Sequence, residues 1–380
     1  IHSLQMLDIS LALVLQLRKA GIVNESTFIF RISPTNCIPD ISFLLSLAMD
    51  CSEHIYVVDR SAYAGAIKSA CRWRWRRCRT IPANIGPTAR PSRRLQHLLK
   101  QFDERSILLK SHADQSEVVI QSTQTIRDRG GKSYGYLEGH YAPRNSIPTA
   151  YFTNPRPDLI DTFLLATGGH RSSINSVGYP DTAVIGYQKA YPAWKETVRT
   201  SRECRDLKRR YEGRPTIAMF TRGEFPGGGP QIMPHEVLEE ILHGALRTIP
   251  QIIKEPVVLL KPHPVQDLNF LQSILKHYAF AEVVFAPPSV VSAVSNLAVT
   301  TWTTSVFDAL FFDLPAIEYF VETDYFRTVY PHGSAFRQLG ISTATTVEEF
   351  REALDETWSG VHIPFSLDGI GGGMNLGVFR

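Results

Sequence analysis

Five short apolar runs punctuate the second half of the chain: TIAMF (216–220), PVVLL (256–260), AEVVF (281–285), LAVT (297–300) and AIEY (316–319). Strands that are apolar at nearly every position suit a sheet buried on both faces, which is the condition of parallel sheets. The segments 235–246, 267–277 and 305–312 lie between these runs, and 346–358 follows the last; all four are compatible with helices. This alternation predicts a mostly parallel sheet covered by helices, the α/β class.

The first half carries the same rhythm less regularly. Residues 10–20, 43–49 and 95–102 have helical spacing, whereas 26–32 (STFIFRI), 54–58, 106–109, 117–120, 133–137 and 182–186 are extended candidates. Residues 195–211 are charged and helix-compatible, and EGRP at 212–215 breaks that helix before the run at 216. A chain of 380 residues exceeds one ordinary core. The expected division is therefore a first Rossmann-like domain over 1–212, a second over 213–360, and a glycine-rich tail over 361–380 that is mobile or packed as coil. No internal repeat competes with this reading.

Composition removes several function classes. A hydrophobic content of 43% with 20% charged residues describes a globular protein. No apolar run approaches the length of a membrane-spanning helix. The five cysteines form no Cys-x-x-Cys pair, so neither a zinc site nor a disulfide framework is expected, and a reducing, cytoplasmic setting is. The net charge of +3 conceals an asymmetry, because residues 60–101 contain no acidic residue. Within them CRWRWRRCRT (71–80) alternates arginine with tryptophan between Arg72 and Arg79. That pattern is either a solvated basic face or one that meets anions, such as lipid head groups at the inner face of the plasma membrane. No nucleic-acid recognition module accompanies it, so nucleic acid is not an expected partner.

In open α/β sheets ligands bind beyond the carboxyl ends of the strands, and three exits in the second half carry suitable chemistry. TRGEFPGGG (221–229) offers bare backbone N–H groups and Arg222 for a bidentate phosphate contact, but it matches no Walker or GxGxxG pattern and reads equally as a flexible loop. KPHP (261–264) places both Lys261 and His263 before proline, which holds the backbone extended and aims the imidazole. His263 is there either as a structural turn residue or as a donor to an anionic oxygen, and Lys261 is expected as a solvated neighbour. TTWTTS (300–305) opens a helix with hydroxyls at five of six positions, so Thr303, Thr304 and Ser305 could join the helix terminus in holding phosphate, beyond a simple N-cap. Glu318, ending the next strand, suits ribose hydroxyls, or else is an exposed strand-end charge.

KPHP followed some forty residues later by TTSVFDALFFDLPAIEY (303–319) resembles the C-terminal domain of bacterial surface-polysaccharide transferases of the two-Rossmann GT-B type. Two branches share the pattern: transferases of CMP-activated sialic acid or Kdo, and CDP-glycerol glycerophosphotransferases. The resemblance implies that the active site lies in the cleft between the domains, and that His263 with Thr304 and Ser305 binds the cytidine nucleotide's phosphate. In the first half, SYGYLEGHYAP (133–143) is similar to the acidic general-base motif of the sialyltransferases, with Leu137 in place of the first acid. That similarity implies Glu138 as the base, with His140 as a competitor. VIGYQKAYPAWK (184–195) also resembles an element that precedes the interdomain linker in these families.

The function so implied is transfer of a sugar from a CMP-activated donor to a glycan or glycolipid acceptor, with no cofactor and no metal, since no Asp-x-Asp signature serves a divalent ion. Alternatives are a polyol-phosphate transferase using a CDP-linked donor, which the FD after Ser305 favours and Glu138 disfavours, and a non-catalytic nucleotide- or glycan-binding subunit. A UDP-sugar 2-epimerase shares the fold, but TTSVFDAL lacks its Ser-Gly-Gly and glutamate pair.

Overall fold

The computed structural model describes residues 4–30, 42–58, 78–81, 93–113, 115–137, 152, 154–179, 181–222, 233–263, 266–329, 333–334, 336–337, 340–360 and 374–379. The chain divides into two compact units, one of Ile1–Asn36, Leu44–Trp194 and Ile370–Arg380, the other of Cys37–Phe43 and Lys195–Gly369.

The first unit contains helix α1 (Leu4–Lys19), strand β1 (Thr27–Phe30), α2 (Ser42–Cys51), β2 (His54–Val58), β3 (Cys78–Ile81), α3 (Arg93–Leu99), β4 (Ile107–Ser111), α4 (Glu117–Asp128), β5 (Lys132–Tyr136), β6 (Thr162–Leu165), α5 (Arg171–Ser176) and β7 (Thr182–Val184). Its strands form two wholly parallel sheets, β1-β2-β3 and β4-β5-β6-β7. Met6, Ile9, Leu13 and Leu17 on α1 spell a helical stripe that buries itself against Tyr134, Tyr136, Leu164 and Ile185. The end of the chain packs into the same core: Tyr134 donates to the Val378 carbonyl at 2.9 Å, and the Phe379 ring lies 4.9 Å from the Tyr134 ring. The described part of the tail, 374–379, is thus anchored in the first unit.

Residues 117–120 (EVVI) begin α4 and are not the expected strand. The apolar run alone was ambiguous, but Val118, Val119, Ser122, Thr123 and Ile126 are buried at helical spacing, which only the longer window shows. β6 and β3 went unforeseen, the latter because it emerges from the arginine-rich segment. Arg79 lies half-buried opposite Tyr56 in the β2–β3 ladder, so this end of the segment is strand. Residues 71–77 lie outside the described residues.

Helix α6 (Pro192–Thr200) carries the chain into the second unit, followed by α7 (Arg202–Arg210), β8 (Thr216–Phe220), α8 (His235–Ile252), β9 (Val257–Lys261), α9 (Leu268–Leu275), β10 (Ala281–Val283), α10 (Pro288–Val294), β11 (Leu297–Thr300), α11 (Val306–Phe311), β12 (Ala316–Tyr319), α12 (Asp324–Val329), β13 (Ser342–Ala344) and α13 (Val347–Trp358). Ser201 separates α6 from α7 by capping the Cys204 N–H at 3.1 Å. α7 packs against α10, and Arg210 pairs with Glu282 at 2.8 Å. Residues 195–212, assigned to the first domain on sequence grounds, therefore group with the second unit. All six strands here are parallel, in the order β10-β9-β8-β11-β12-β13. This is the 3-2-1-4-5-6 order of a dinucleotide-type Rossmann fold. Every residue of β8, β9, β11 and β12 is buried, as the continuous apolar runs required.

Candidate functional site

The order of the second sheet fixes where its chemistry collects. From β8 the chain moves outward through β9 to β10 on one side, then returns to β11 and proceeds through β12 to β13 on the other. The reversal falls between β8 and β11, the position at which open α/β sheets leave a crevice beyond their carboxyl ends. Arg222 follows β8, Lys261 ends β9 with His263 two residues beyond it, Thr301–Ser305 follow β11, and Glu318 is the penultimate residue of β12. The three exits singled out in the sequence thus leave neighbouring strands of one sheet.

The Arg222 guanidinium lies over the Trp302 ring at 4.7 Å, a cation–π contact that bridges the reversal point. Trp302 has φ 45°, the left-handed region that a bulky residue rarely occupies, and its ring meets Phe326 edge-on at 5.4 Å. Lys261 is only 7% exposed and donates through Nζ to the Pro262 carbonyl at 2.8 Å. It is not the solvated neighbour expected from sequence, because β9 is flanked by β8 and β10 and its final residue remains inside the sheet. Burial, then the Arg222 charge, then the Lys261 charge push the His263 pKa down to about 3. Its imidazole is therefore neutral at physiological pH, a hydrogen-bonding group beside Arg222 and Lys261 and not a third cation.

Gln266 and Trp302 were not singled out in the sequence. Gln266 Oε1 accepts from Thr221 Oγ1 at 2.7 Å and from the His263 N–H at 3.0 Å, which ties the β8 and β9 exits together. A polar residue shortly after a strand-exit histidine is too common a pattern to have marked it.

The turn after β11 differs from its expected form. The N–H groups of Val306, Phe307 and Asp308 bond to the carbonyls of Thr303, Thr304 and Ser305 at 3.0–3.2 Å, so the start of α11 is tightened into 3₁₀ geometry. Those N–H groups are spent and cannot cradle an anion. Thr303 is 5% exposed and its hydroxyl lies 3.4 Å from both the Ser305 N–H and the Ser305 hydroxyl. Thr304 and Ser305 remain half-buried at the exit. Asp308 is buried and accepts from Ser289, joining α11 to α10, so the FD pair is part of the core packing.

Glu318 is fully buried and is not an exposed strand-end charge. Burial pushes its pKa up to about 8 against the smaller opposing effects of Ser334 and Arg337. Neither carboxyl oxygen makes a hydrogen bond of regular geometry among the described residues. A buried acid in this state calls for an explanation, and a hydroxyl-bearing ligand is one.

Glu138 and His140 lie outside the described residues, as do residues 223–232. The strand that leads to them, β5, ends beside His112, whose Nδ1 is 3.4 Å from the Tyr136 carbonyl and whose ring is 4.9 Å from that of Phe152. The first unit also holds a cavity of about 580 Å³ lined in part by Ser10, Thr27, His54, Lys110 and Ser111. Among the described residues no group of three or more His, Cys, Asp or Glu side chains could hold a metal ion, and no helix is long and apolar enough to cross a membrane.

No protein-family profile and no curated protein sequence matches the chain. Solved structures do resemble it. A putative UDP-N-acetylglucosamine 2-epimerase from Listeria monocytogenes superposes with a TM-score of 0.53 at 11% identity, covering 95% of this chain and 87% of that one. A variant of the wall teichoic acid polymerase TagF gives 0.53 at 12% identity, covering 96% and 85%. The UDP-GlcNAc 2-epimerase of Methanocaldococcus jannaschii gives 0.50 at 10% identity, covering 87% and 91%. The fold is thus that of the GT-B class, α/β with two Rossmann-like units. At these identities the likeness concerns the fold alone.

Proposed function

We propose that this protein is a GT-B transferase that binds a nucleotide-activated donor at the reversal point of its second sheet and passes the activated group to a glycan or glycolipid hydroxyl. One observation carries the reading: Arg222 and Lys261 lie close enough to His263, at adjacent strand exits, for both charges to act on its ring, while Glu318 lies buried on β12, the second strand over from β8. Two fixed cations and a neutral imidazole N–H suit a departing phosphate, and an acid at the end of β12 suits ribose hydroxyls. Thr304 and Ser305 supply hydroxyl donors on the far side of the phosphate.

The donor of first choice is a CMP-activated acidic sugar, sialic acid or Kdo, as the sequence resemblance implies. Glu138, or His140, removes the proton of the acceptor hydroxyl as its oxygen attacks the anomeric carbon. The negative charge left on the nucleotide phosphate is met by Arg222, Lys261 and the His263 N–H, with no metal invoked. A CDP-linked polyol donor is the second reading. The observation favouring it is the buried Lys261, because two basic side chains beside the imidazole match a diphosphate better than a single phosphodiester. In either case the chain acts on the cytoplasmic side, where nucleotide-activated donors are made, and a basic contact of Arg72–Arg79 with the membrane would bring it to a lipid-linked acceptor.

A thermal-shift series with CMP, CDP, UMP, UDP and GDP tests the assignment. A ligand at 100 times its Kd adds about 2.7 kcal/mol to stability, a shift that such an assay resolves. Selective stabilisation by CMP supports the first donor and by CDP the second. Preference for UDP overturns both, and no stabilisation by any of the five overturns the nucleotide site.

A further inference from the structure

We propose that Gln266 is the positioning residue of this site, the group that fixes where the His263 imidazole stands relative to the exit of β8. The last ladder bond between β8 and β9 is donated by the Thr221 N–H to the Lys261 carbonyl at 3.3 Å. Beyond it the Gln266 carboxamide continues the connection between the two strand exits. Its oxygen accepts from Thr221 Oγ1 at 2.7 Å and from the His263 N–H at 3.0 Å, while its own backbone N–H donates to the His263 carbonyl at 3.0 Å. His263 is therefore held from both its N–H and its C=O by one residue, which is itself held by the neighbouring strand exit.

The orientation of the carboxamide is not arbitrary. A backbone N–H can only donate, so the oxygen of Gln266 must face His263, and a flipped amide would set donor against donor. Gln266 is 8% exposed, and its Nε2 finds no acceptor among the described residues. Proline stiffness restricts the backbone of Lys261 and His263, but it does not set the direction of the KPHP turn relative to β8. Gln266 sets it. A carboxylate of the same shape would accept the same two bonds, yet it would place a negative charge among Arg222, Lys261 and His263. The amide holds the turn while leaving the crevice positive.

This inference rests on the reading of His263 as a phosphate ligand, so the experiment separates the two. Binding of CMP, CDP and UDP is measured calorimetrically for the wild type, Gln266→Met, His263→Ala and the double variant, with melting temperatures taken in parallel. Gln266→Met keeps the volume and loses both accepted bonds. It is expected to weaken binding of the preferred nucleotide roughly tenfold in the wild-type background. In the His263→Ala background the same change is expected to alter binding by less than about twofold, since a residue acting through His263 has nothing left to position. Thr221→Val, which removes only one bond to the carboxamide, serves if Gln266→Met does not fold; it too should act only when His263 is present. An equal loss in both backgrounds, or no loss in the wild type, overturns the inference. If the wild type and His263→Ala bind alike, or the wild type binds none of the three, the site reading itself fails and the inference with it.

Discussion

Replacement of Glu318 by glutamine tests the electrostatics of the site without any knowledge of the donor. The carboxyl is raised from an ordinary 4.5 to about 8 by burial. Between these values the folded protein holds a proton that the unfolded chain has released, so stability falls as pH rises. Each pH unit in this window removes about 1.4 kcal/mol. About 3 kcal/mol is then lost by pH 7 and about 4 kcal/mol by pH 8, relative to pH 4.5, with little further change above. Glu318→Gln has the same shape and no titration, so this slope should vanish. Its absolute level is a poorer measure, because a buried amide brings hydrogen-bonding needs of its own at about 1–3 kcal/mol. The assay is urea unfolding followed by circular dichroism at half-unit steps from pH 5 to 8.5, for both proteins. Parallel pH profiles would refute the assignment of a neutral, buried acid at this strand end. Nucleotide adds a second check. Ribose hydroxyls that donate to the carboxylate favour its ionised form, so binding should release a proton and strengthen as pH rises towards 8.

Further outcomes follow from other contacts. His263→Ala should lower turnover with the preferred donor by about 3 kcal/mol, on the order of a hundredfold, measured as kcat at saturating donor. In the first unit Lys189 pairs with Asp8 at 3.0 Å, both buried, so Lys189→Met should destabilise by about 3–5 kcal/mol, with partial recovery on adding Asp8→Asn, read from urea midpoints. Gly244 lies against Tyr319, and a Cβ there would come within 2.7 Å of the Tyr319 hydroxyl and 3.1 Å of Val347 Cγ2. Gly244→Ala should therefore cost about 1–3 kcal/mol through overpacking, lowering the melting temperature by roughly 2–12 °C in a unit of this size.

How far the sequence could be read depended on how local the deciding physics was. The runs TIAMF, PVVLL, LAVT and AIEY became strands within a residue of their expected limits, because burial on both faces leaves no polar alternation to mislead. EVVI at 117–120 misled because four residues cannot separate a buried strand from the first turn of a helix. β13, only three residues long, offered no run to read. The KPHP and TTWTTS exits could be found, because prolines and clustered hydroxyls are visible as letters. Gln266, which ties one of them down, could not, because its partners are forty-five and three residues away and only strand pairing brings them together.

By itself the sequence determined a parallel α/β chain with two Rossmann-like halves and a histidine held at a strand exit, all consequences of hydrophobic periodicity and of proline's fixed geometry. The tertiary structure decided which exits are neighbours, through the 3-2-1-4-5-6 strand order. It also enclosed Lys261 and decided the charge states of His263, neutral through burial and the Arg222 and Lys261 charges, and of Glu318, protonated through burial. Burial and the distance between charges are properties of the packed sheet, and no stretch of sequence contains them.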